Sequence, residues 1–213
     1  TVPFLATSGL ALLAGMMVWW LLPTADHLQT LPIATPKTRD GQILTIRILS
    51  ISFVTALAVG AFEVGLSLRG KQVLDLNAYQ IGLMFTECSL VMFVAQALVF
   101  SPLIKVERTR YLIIPGLAVL AAGLAMVPFA SGFITTILVV GMVAVSAGVL
   151  SPIATYWISL SAGKTQGAEL GLQTSAASLG QAVGAAAAGL SFDFAAMPNA
   201  SFTLAAVLVT AGL

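Results

Sequence analysis

Two acidic residues stand inside long apolar stretches of the sequence. Glu63 lies in the apolar run 47–68, and Glu87 lies in the run 79–104. A charged, unpaired carboxylate is costly in hydrocarbon surroundings, and such a residue usually belongs to an ion or substrate pathway. The chemistry that these two side chains can supply is proton exchange or attraction of a cationic substrate.

Each carboxylate also has a plainer interpretation. By the helical rise, Glu63 lies about 6 Å inside the end of its span at residue 68, which is expected below to be the outer end. There it could reach lipid headgroups or pair with Arg69 or Lys71. Glu87 lies about 12 Å below the outer end of its own span, so it needs a partner, a cavity or a bound proton. Ser52 and Thr55 share one helical face with Glu63, and this polar face suits a water-filled cavity.

Three glutamines in apolar segments are further candidates for a substrate or proton pathway. Gln96 follows Glu87 on the opposite face of the same span, so the two side chains cannot share a site within one chain. Gln173 and Gln181 lie within about 80° of each other on a later span. Hydrogen bonding between helices is the more frequent use of such residues.

Small residues at helical intervals indicate close helix packing or gating. Gly180 and Gly184 are four residues apart, and Gly141 and Gly148 fall on one narrow stripe of the span 133–160. In lipid, small residues at such spacing let helix backbones approach closely. Pro152 predicts a kink in the same span, where neighbouring hydroxyls can satisfy the carbonyl that proline leaves free.

The composition determines the kind of elements that hold these residues. Of 213 residues, 59% are hydrophobic and 8% are charged, whereas a soluble domain carries about 25% charged residues. The sequence therefore predicts an all-α membrane protein. Its net charge of +1 argues against a nucleic-acid partner, and single Cys and His residues exclude disulfides and common metal clusters. Neither a cofactor nor the residue constellation of an enzyme is indicated.

The apolar segments predict a bundle of six to seven transmembrane helices. Six spans are expected at 3–22, 47–68, 79–104, 111–130, 133–160 and 170–192. The apolar segment 201–213 is shorter than the roughly 20 residues of a bilayer crossing. This short end and a beginning without Met or a signal peptide lead us to expect a chain truncated at both ends.

Basic residues divide unevenly between the two sets of alternate loops, which predicts the orientation. Arg69 and Lys71 lie on one side, and that side is expected to be the outer one. The richer side, expected to be cytoplasmic, holds Lys37, Arg39, Arg47, Lys105, Arg108, Arg110 and Lys164.

Three stretches resemble a known family. The segment 167–193, G-A-E-L-G-L-Q-T-S-A-A-S-L-G-Q-A-V-G-A-A-A-A-G-L-S-F-D, resembles the penultimate helix of drug:proton antiporters of the major facilitator superfamily. A-Y-Q-I-G-L-M-F at 78–85 is similar to the start of the family's eighth helix. P-F-L-A-T-S-G-L-A-L-L-A-G at 3–15 is similar to its sixth helix. Departures are Ala185 at the position of an expected proline, and 101–110, S-P-L-I-K-V-E-R-T-R, where only Arg110 matches the family's loop motif.

The resemblance implies a domain organisation. Residues 1–22 would be the last helix of the N-terminal bundle, 23–46 a cytoplasmic linker, and 47–213 a C-terminal six-helix bundle whose last helix is incomplete. The function implied is secondary transport of small molecules by alternating access, proton-coupled and directed towards export, in the bacterial inner membrane. The implied partners are the lipid bilayer, a small-molecule substrate, protons and the N-terminal six-helix half. A non-transporting membrane sensor or scaffold with the same fold stays as the alternative.

Overall fold

A computed structural model describes residues 9, 12–17, 20, 39–101, 106–162, 165–193 and 200–212. The chain divides into two compact units, Thr1–Thr35 and Pro36–Leu213. In the first unit the described residues are helical, and 12–17 are exposed. Most of the predicted span 3–22 and of the predicted linker 23–46 lies outside the described residues.

The described part of the second unit is built from helices and contains no strand. Two 3-10 helices, Val106–Leu112 and Val127–Phe129, flank the third α-helix. The α-helices are α1 (Arg39–Gln72), α2 (Ala78–Val99), α3 (Ile113–Met126), α4 (Phe133–Ala162), α5 (Gln166–Asp193) and α6 (Ala200–Ala211). The predicted all-α fold class is confirmed.

The first of these helices is longer than the sequence pattern predicted. The span was expected at 47–68, but α1 begins at Arg39 and ends at Gln72. The extension places Glu63 roughly 13 Å from the end of its helix by the helical rise. The next helix begins after Asn77, whose side chain accepts a hydrogen bond from the Gln80 backbone N–H while the Gln80 side chain accepts one from the Asn77 N–H. This reciprocal capping fixes the start of α2.

Four segments of the described chain are long and apolar enough to cross a membrane. They are Gly41–Gln72, Ala78–Val99, Thr109–Phe129 and Phe133–Ala162, and Phe202–Ala211 is a shorter apolar helix. Although α5 has the length for a crossing, its glutamines, hydroxyls and glycines lower its hydropathy. It packs most extensively against α1.

Helix α5 runs parallel to α1 with the two backbones in close contact. A β-carbon at Gly180 would meet the carbonyl oxygen of Phe53, and one at Gly184 would meet the carbonyl oxygen of Leu57. Glycine at these positions lets the two helices approach more closely than any other residue would permit.

The remaining helices close the bundle around this pair. A β-carbon at Gly65 of α1 would lie 2.6 Å from the ring of Phe202, and Gly212 lies near Val54, so α6 runs antiparallel to α1. Gly123 of α3 faces Val143 of α4. The buried core between these helices includes Phe62, Leu66, Met84, Leu120, Leu124, Val140, Val143 and Phe202.

Large apolar side chains also cover the outside of the bundle. Phe93 is 68% exposed, Leu138 66% and Leu204 57%. A soluble protein rarely exposes so much contiguous apolar surface, whereas hydrocarbon solvates it without cost. The outer surface is therefore suited to contact with lipid.

Candidate functional site

A cavity of about 280 Å³ lies between α1, α2, α4 and α5. Its α1 wall is one helical stripe, from Ser52 through Thr55 and Val59 to Glu63. Its α5 wall is formed by residues four apart: Gln173, Ala177 and Gln181. The remaining lining residues are Ile51, Ala56, Met92, Ala147, Leu150, Ser151 and Ala154. We refer to this space as the central cavity.

The charged group of the central cavity is the Glu63 carboxylate. It is half-buried, and its Oε2 accepts a hydrogen bond from Gln181 Nε2 at 3.3 Å. The bond joins α1 to α5 and orients the carboxylate at the cavity wall. The structure thereby brings together two residues that the sequence had suggested separately.

A second glutamine links three helices at another part of the cavity wall. Gln173 is 7% exposed, and its Nε2 donates to Ser52 Oγ at 3.3 Å and to Thr155 Oγ1 at 3.1 Å. Both amide protons of Gln173 therefore have acceptors, one on α1 and one on α4.

The Thr55 hydroxyl is an unused polar group of the cavity. Thr55 is 6% exposed, and its Oγ1 has no hydrogen-bond partner among the described residues. Most buried polar atoms are hydrogen-bonded, so an exception in a cavity wall marks a position where a ligand or water can bind.

The rest of the cavity wall is aliphatic. Val59, Met92 and Leu150 face the space together with several alanines, and the residues described in the lining include no aromatic ring. A lipophilic cation fits this arrangement because the aliphatic wall accommodates its body and Glu63 attracts its charge. Methionine adds a flexible side chain that adapts to ligands of different shape.

Glu87 does not line the central cavity and instead lies between α2 and α4. A β-carbon at Gly141 of α4 would lie 3.1 Å from Glu87 Oε1. The other oxygen, Oε2, is buried and accepts no hydrogen bond from the described residues. Further along the same interface, a β-carbon at Gly148 would lie 2.9 Å from Met92 Cα. Gly148 thus lets the α2 backbone approach α4, and Gly141 leaves room for the Glu87 side chain.

Gln96 is separated from both carboxylates. It lines a groove of about 430 Å³ whose other walls come from α4 and α5. Ser151 belongs to both this groove and the central cavity. Pro152 also lines the groove, and α4 continues through it from Phe133 to Ala162.

Arg69, one of the basic residues considered as a partner for Glu63, is buried at the far end of α1. Its guanidinium donates to the carbonyl oxygens of Pro128 at 2.9 Å and Ala130 at 3.1 Å. These carbonyls end the 3-10 helix after α3, where backbone acceptors lack helical donors. Arg69 thereby connects α1 to the α3–α4 connection, whereas Lys71 is exposed.

Sequence reasoning missed Met92 and the link between Gln173 and Thr155. Met92 carries no polar atom that would distinguish it from core residues, so no signal could have found it. The pairing of Thr155 with a glutamine of another helix depends on the fold and could not be read from the sequence. Among the described residues, no group of three or more His, Cys, Asp or Glu side chains could hold a metal ion.

Comparison with known proteins gives two matches. A family model described as Major Facilitator Superfamily matches residues 1–185. Multidrug resistance protein 2 of Bacillus subtilis (strain 168) is 26% identical over 205 residues, which cover 90% of this chain. The match covers 50% of the relative, so the chain spans about half the length of that protein.

Proposed function

Because this chain belongs to the major facilitator superfamily, a family of transporters and not of enzymes, we propose that it forms half of a proton-coupled exporter of lipophilic cations. The other half is an N-terminal six-helix bundle of the same protein, with residues 1–22 as its last helix and residues 23–46 as a cytoplasmic linker. The whole transporter resides in the bacterial inner membrane. Its two halves rock about the central cavity in alternating access.

The observation that carries the proposal is the position of Glu63. Its carboxylate is the one acidic group among the described residues of the central cavity, and the rest of the lining is aliphatic or neutral and polar. A cation is attracted to the carboxylate, while the aliphatic wall does not demand a particular shape. The relative named as a multidrug resistance protein supports this substrate class.

Glu87 is proposed as the proton carrier, distinct from the substrate contact. One of its oxygens is buried without a donor among the described residues. Burying a carboxyl group in such a site costs less free energy when the group is protonated than when it is charged. When α2 and α4 separate at Gly141, water reaches the group and the proton can leave. Release is thus tied to the helix movement that alternating access requires.

The test uses the whole transporter in everted membrane vesicles with an imposed proton gradient. Lipophilic cations and neutral compounds of matched size are added while the internal pH is followed. We expect the cations to dissipate the gradient, the neutral compounds to have no effect, and Glu63→Gln to abolish the response. A flat response to every cation, from protein shown to be folded, would overturn the proposal and favour a sensor or scaffold.

A further inference from the structure

Two spaces of the bundle meet close to the Gln173 side chain, at Ser151. The central cavity and the groove lined by Gln96 share Ser151. Thr155 lines the groove, Ser52 lines the cavity, and the Gln173 amide is hydrogen-bonded to both. Hydrogen bonds between side chains of three helices therefore link the wall of the cavity to the wall of the groove.

The groove leads from this boundary towards one end of the bundle. Gln173 lies roughly 10 Å into α5 from Gln166, whereas Gln181 lies roughly 22 Å into it, by the helical rise. The groove extends from Ser151 along α4 to Ser159, near the helix end at Ala162. The groove thus connects the level of Gln173 with the end at which α4 and α5 meet, which we call the α4–α5 end.

The groove has the chemistry of a hydrated passage. Its lining includes the amide of Gln96 and the hydroxyls of Ser151, Thr155, Tyr156 and Ser159, with no charged residue among the described ones. Neutral donors and acceptors replace part of the hydration shell of a passing solute without holding it by charge. A solute that leaves Glu63 along this route meets no second anionic site.

We infer that Gln173, with Ser52 and Thr155, is the gate between the central cavity and the α4–α5 end. The inference rests on the proposed transport function for its direction, since the basic residues predict that this end faces the cytoplasm. With both hydrogen bonds formed, Gln173 joins α1 to α4 and closes the cavity towards the groove. Loss of either bond frees α4 to move, and the passage past Ser151 opens.

A buried position supports a switching role. Gln173 is 7% exposed and Ser52 is 8% exposed, so the bond between them forms out of contact with bulk water. Thr155, the second acceptor, is exposed to the groove. A buried amide that loses its acceptors must find water or another partner. The gate therefore has two stable arrangements. In one, Gln173 is hydrogen-bonded across the helices, and in the other its amide is hydrated, whereas an arrangement with neither kind of partner is disfavoured.

The test measures access and not transport. In the whole protein with Cys88→Ser and no other accessible cysteine, Val59→Cys in the cavity wall is the reporter. Everted vesicles present the predicted cytoplasmic end to a membrane-impermeant maleimide, and right-side-out vesicles present the other end. We expect Gln173→Ala to raise the labelling rate in everted vesicles about fivefold, the population change that one net hydrogen bond supports. Ser175→Ala, at an exposed position of the same helix whose hydroxyl donates to the Gly171 carbonyl of that helix, is the matched control and should change nothing.

Two milder variants keep the inference testable if Gln173→Ala does not fold. Thr155→Val and Ser52→Ala each remove one acceptor of the Gln173 amide, and each should raise the labelling rate in everted vesicles. An unchanged rate in folded Thr155→Val and Ser52→Ala would overturn the gate. Labelling does not depend on movement of a substrate, so failure of the transport proposal would appear in the vesicle pH measurement instead.

Discussion

The Gln181 amide in α5 donates a hydrogen bond to the Glu63 carboxylate in α1, with 3.3 Å between Nε2 and Oε2. Gly180, the preceding residue, and Gly184, about one turn further on, bring the backbones of the same two helices into contact. The position of the cavity's acidic group is therefore set by a helix pair whose separation is fixed by glycine. The proposed substrate contact and helix packing are therefore coupled in this part of the fold.

Removing the Gln181 amide should weaken cation binding without unfolding the protein. We expect Gln181→Leu to lower the affinity for a lipophilic cation about three- to tenfold, because a partly exposed hydrogen bond to a charged group contributes modestly. Equilibrium binding to the purified whole transporter measures the effect. Gln166→Leu, the same change on the same helix, should leave the affinity unaltered, and equal losses in both variants would contradict the assignment.

An alanine at position 141 should impair proton coupling. Its β-carbon would lie 3.1 Å from Glu87 Oε1 and displace the carboxylate. If placing the carboxylate costs about 1 kcal/mol, proton-driven uptake of the cation into everted vesicles should fall roughly fivefold. Gly171→Ala is the control, since a β-carbon there meets nothing within 4 Å. Recovery of uptake in the double variant Gly141→Ala, Glu87→Asp would show that the lost space for the carboxylate causes the defect. Full uptake by Gly141→Ala alone would refute the role of this contact in proton coupling.

The contact between α1 and α5 should tolerate no side chain at position 184. Gly184→Ala directs a methyl group at the Leu57 carbonyl, and overpacking of this kind costs about 1–3 kcal/mol of unfolding free energy. Thermal unfolding in detergent should show a lower midpoint than the wild type. Gly189→Ala on the same helix gains the same helix propensity and meets nothing within 4 Å, so its midpoint should not fall. Matching midpoints for the two variants would exclude the close contact.

Arg69 should be a structural residue whose loss is felt in stability. Arg69→Gln removes two hydrogen bonds from a charged donor to the Pro128 and Ala130 carbonyls, which we expect to cost about 2 kcal/mol. Denaturant unfolding of the purified protein measures this loss. The exposed neighbour Lys71 provides the comparison, because Lys71→Gln should change the unfolding free energy by less than about 0.5 kcal/mol. The reverse order of the two effects would contradict the assigned contacts.

Much of the fold was predictable because lipid imposes simple rules on composition. Long apolar runs with few charges predicted the α-helical bundle, and the resemblance of 167–193 and two other segments to the major facilitator superfamily is confirmed by the family match. Helix ends were less predictable. Helix α1 extends beyond its apolar run to Arg39 and Gln72, because a helix can continue into polar residues past the end of an apolar run.

The candidate site was predictable by residue and not by arrangement. Glu63, Gln173 and Gln181 were all visible as polar residues in apolar spans. Their pairing depends on how α1 and α5 align, and periodicity within one helix carries no information on its register against another. The separation of Glu87 from the central cavity likewise follows from the packing of α2 on α4. The roles of these residues stay predictions.

The most direct test of the account compares two kinds of movement of one lipophilic cation by the whole transporter in proteoliposomes. Exchange of labelled for unlabelled cation across the membrane requires substrate contact alone, whereas accumulation driven by a proton gradient also requires proton transfer. We expect Glu63→Gln to lose both and Glu87→Gln to retain exchange while losing accumulation. Full exchange by Glu63→Gln, or loss of exchange by folded Glu87→Gln, would contradict this expectation.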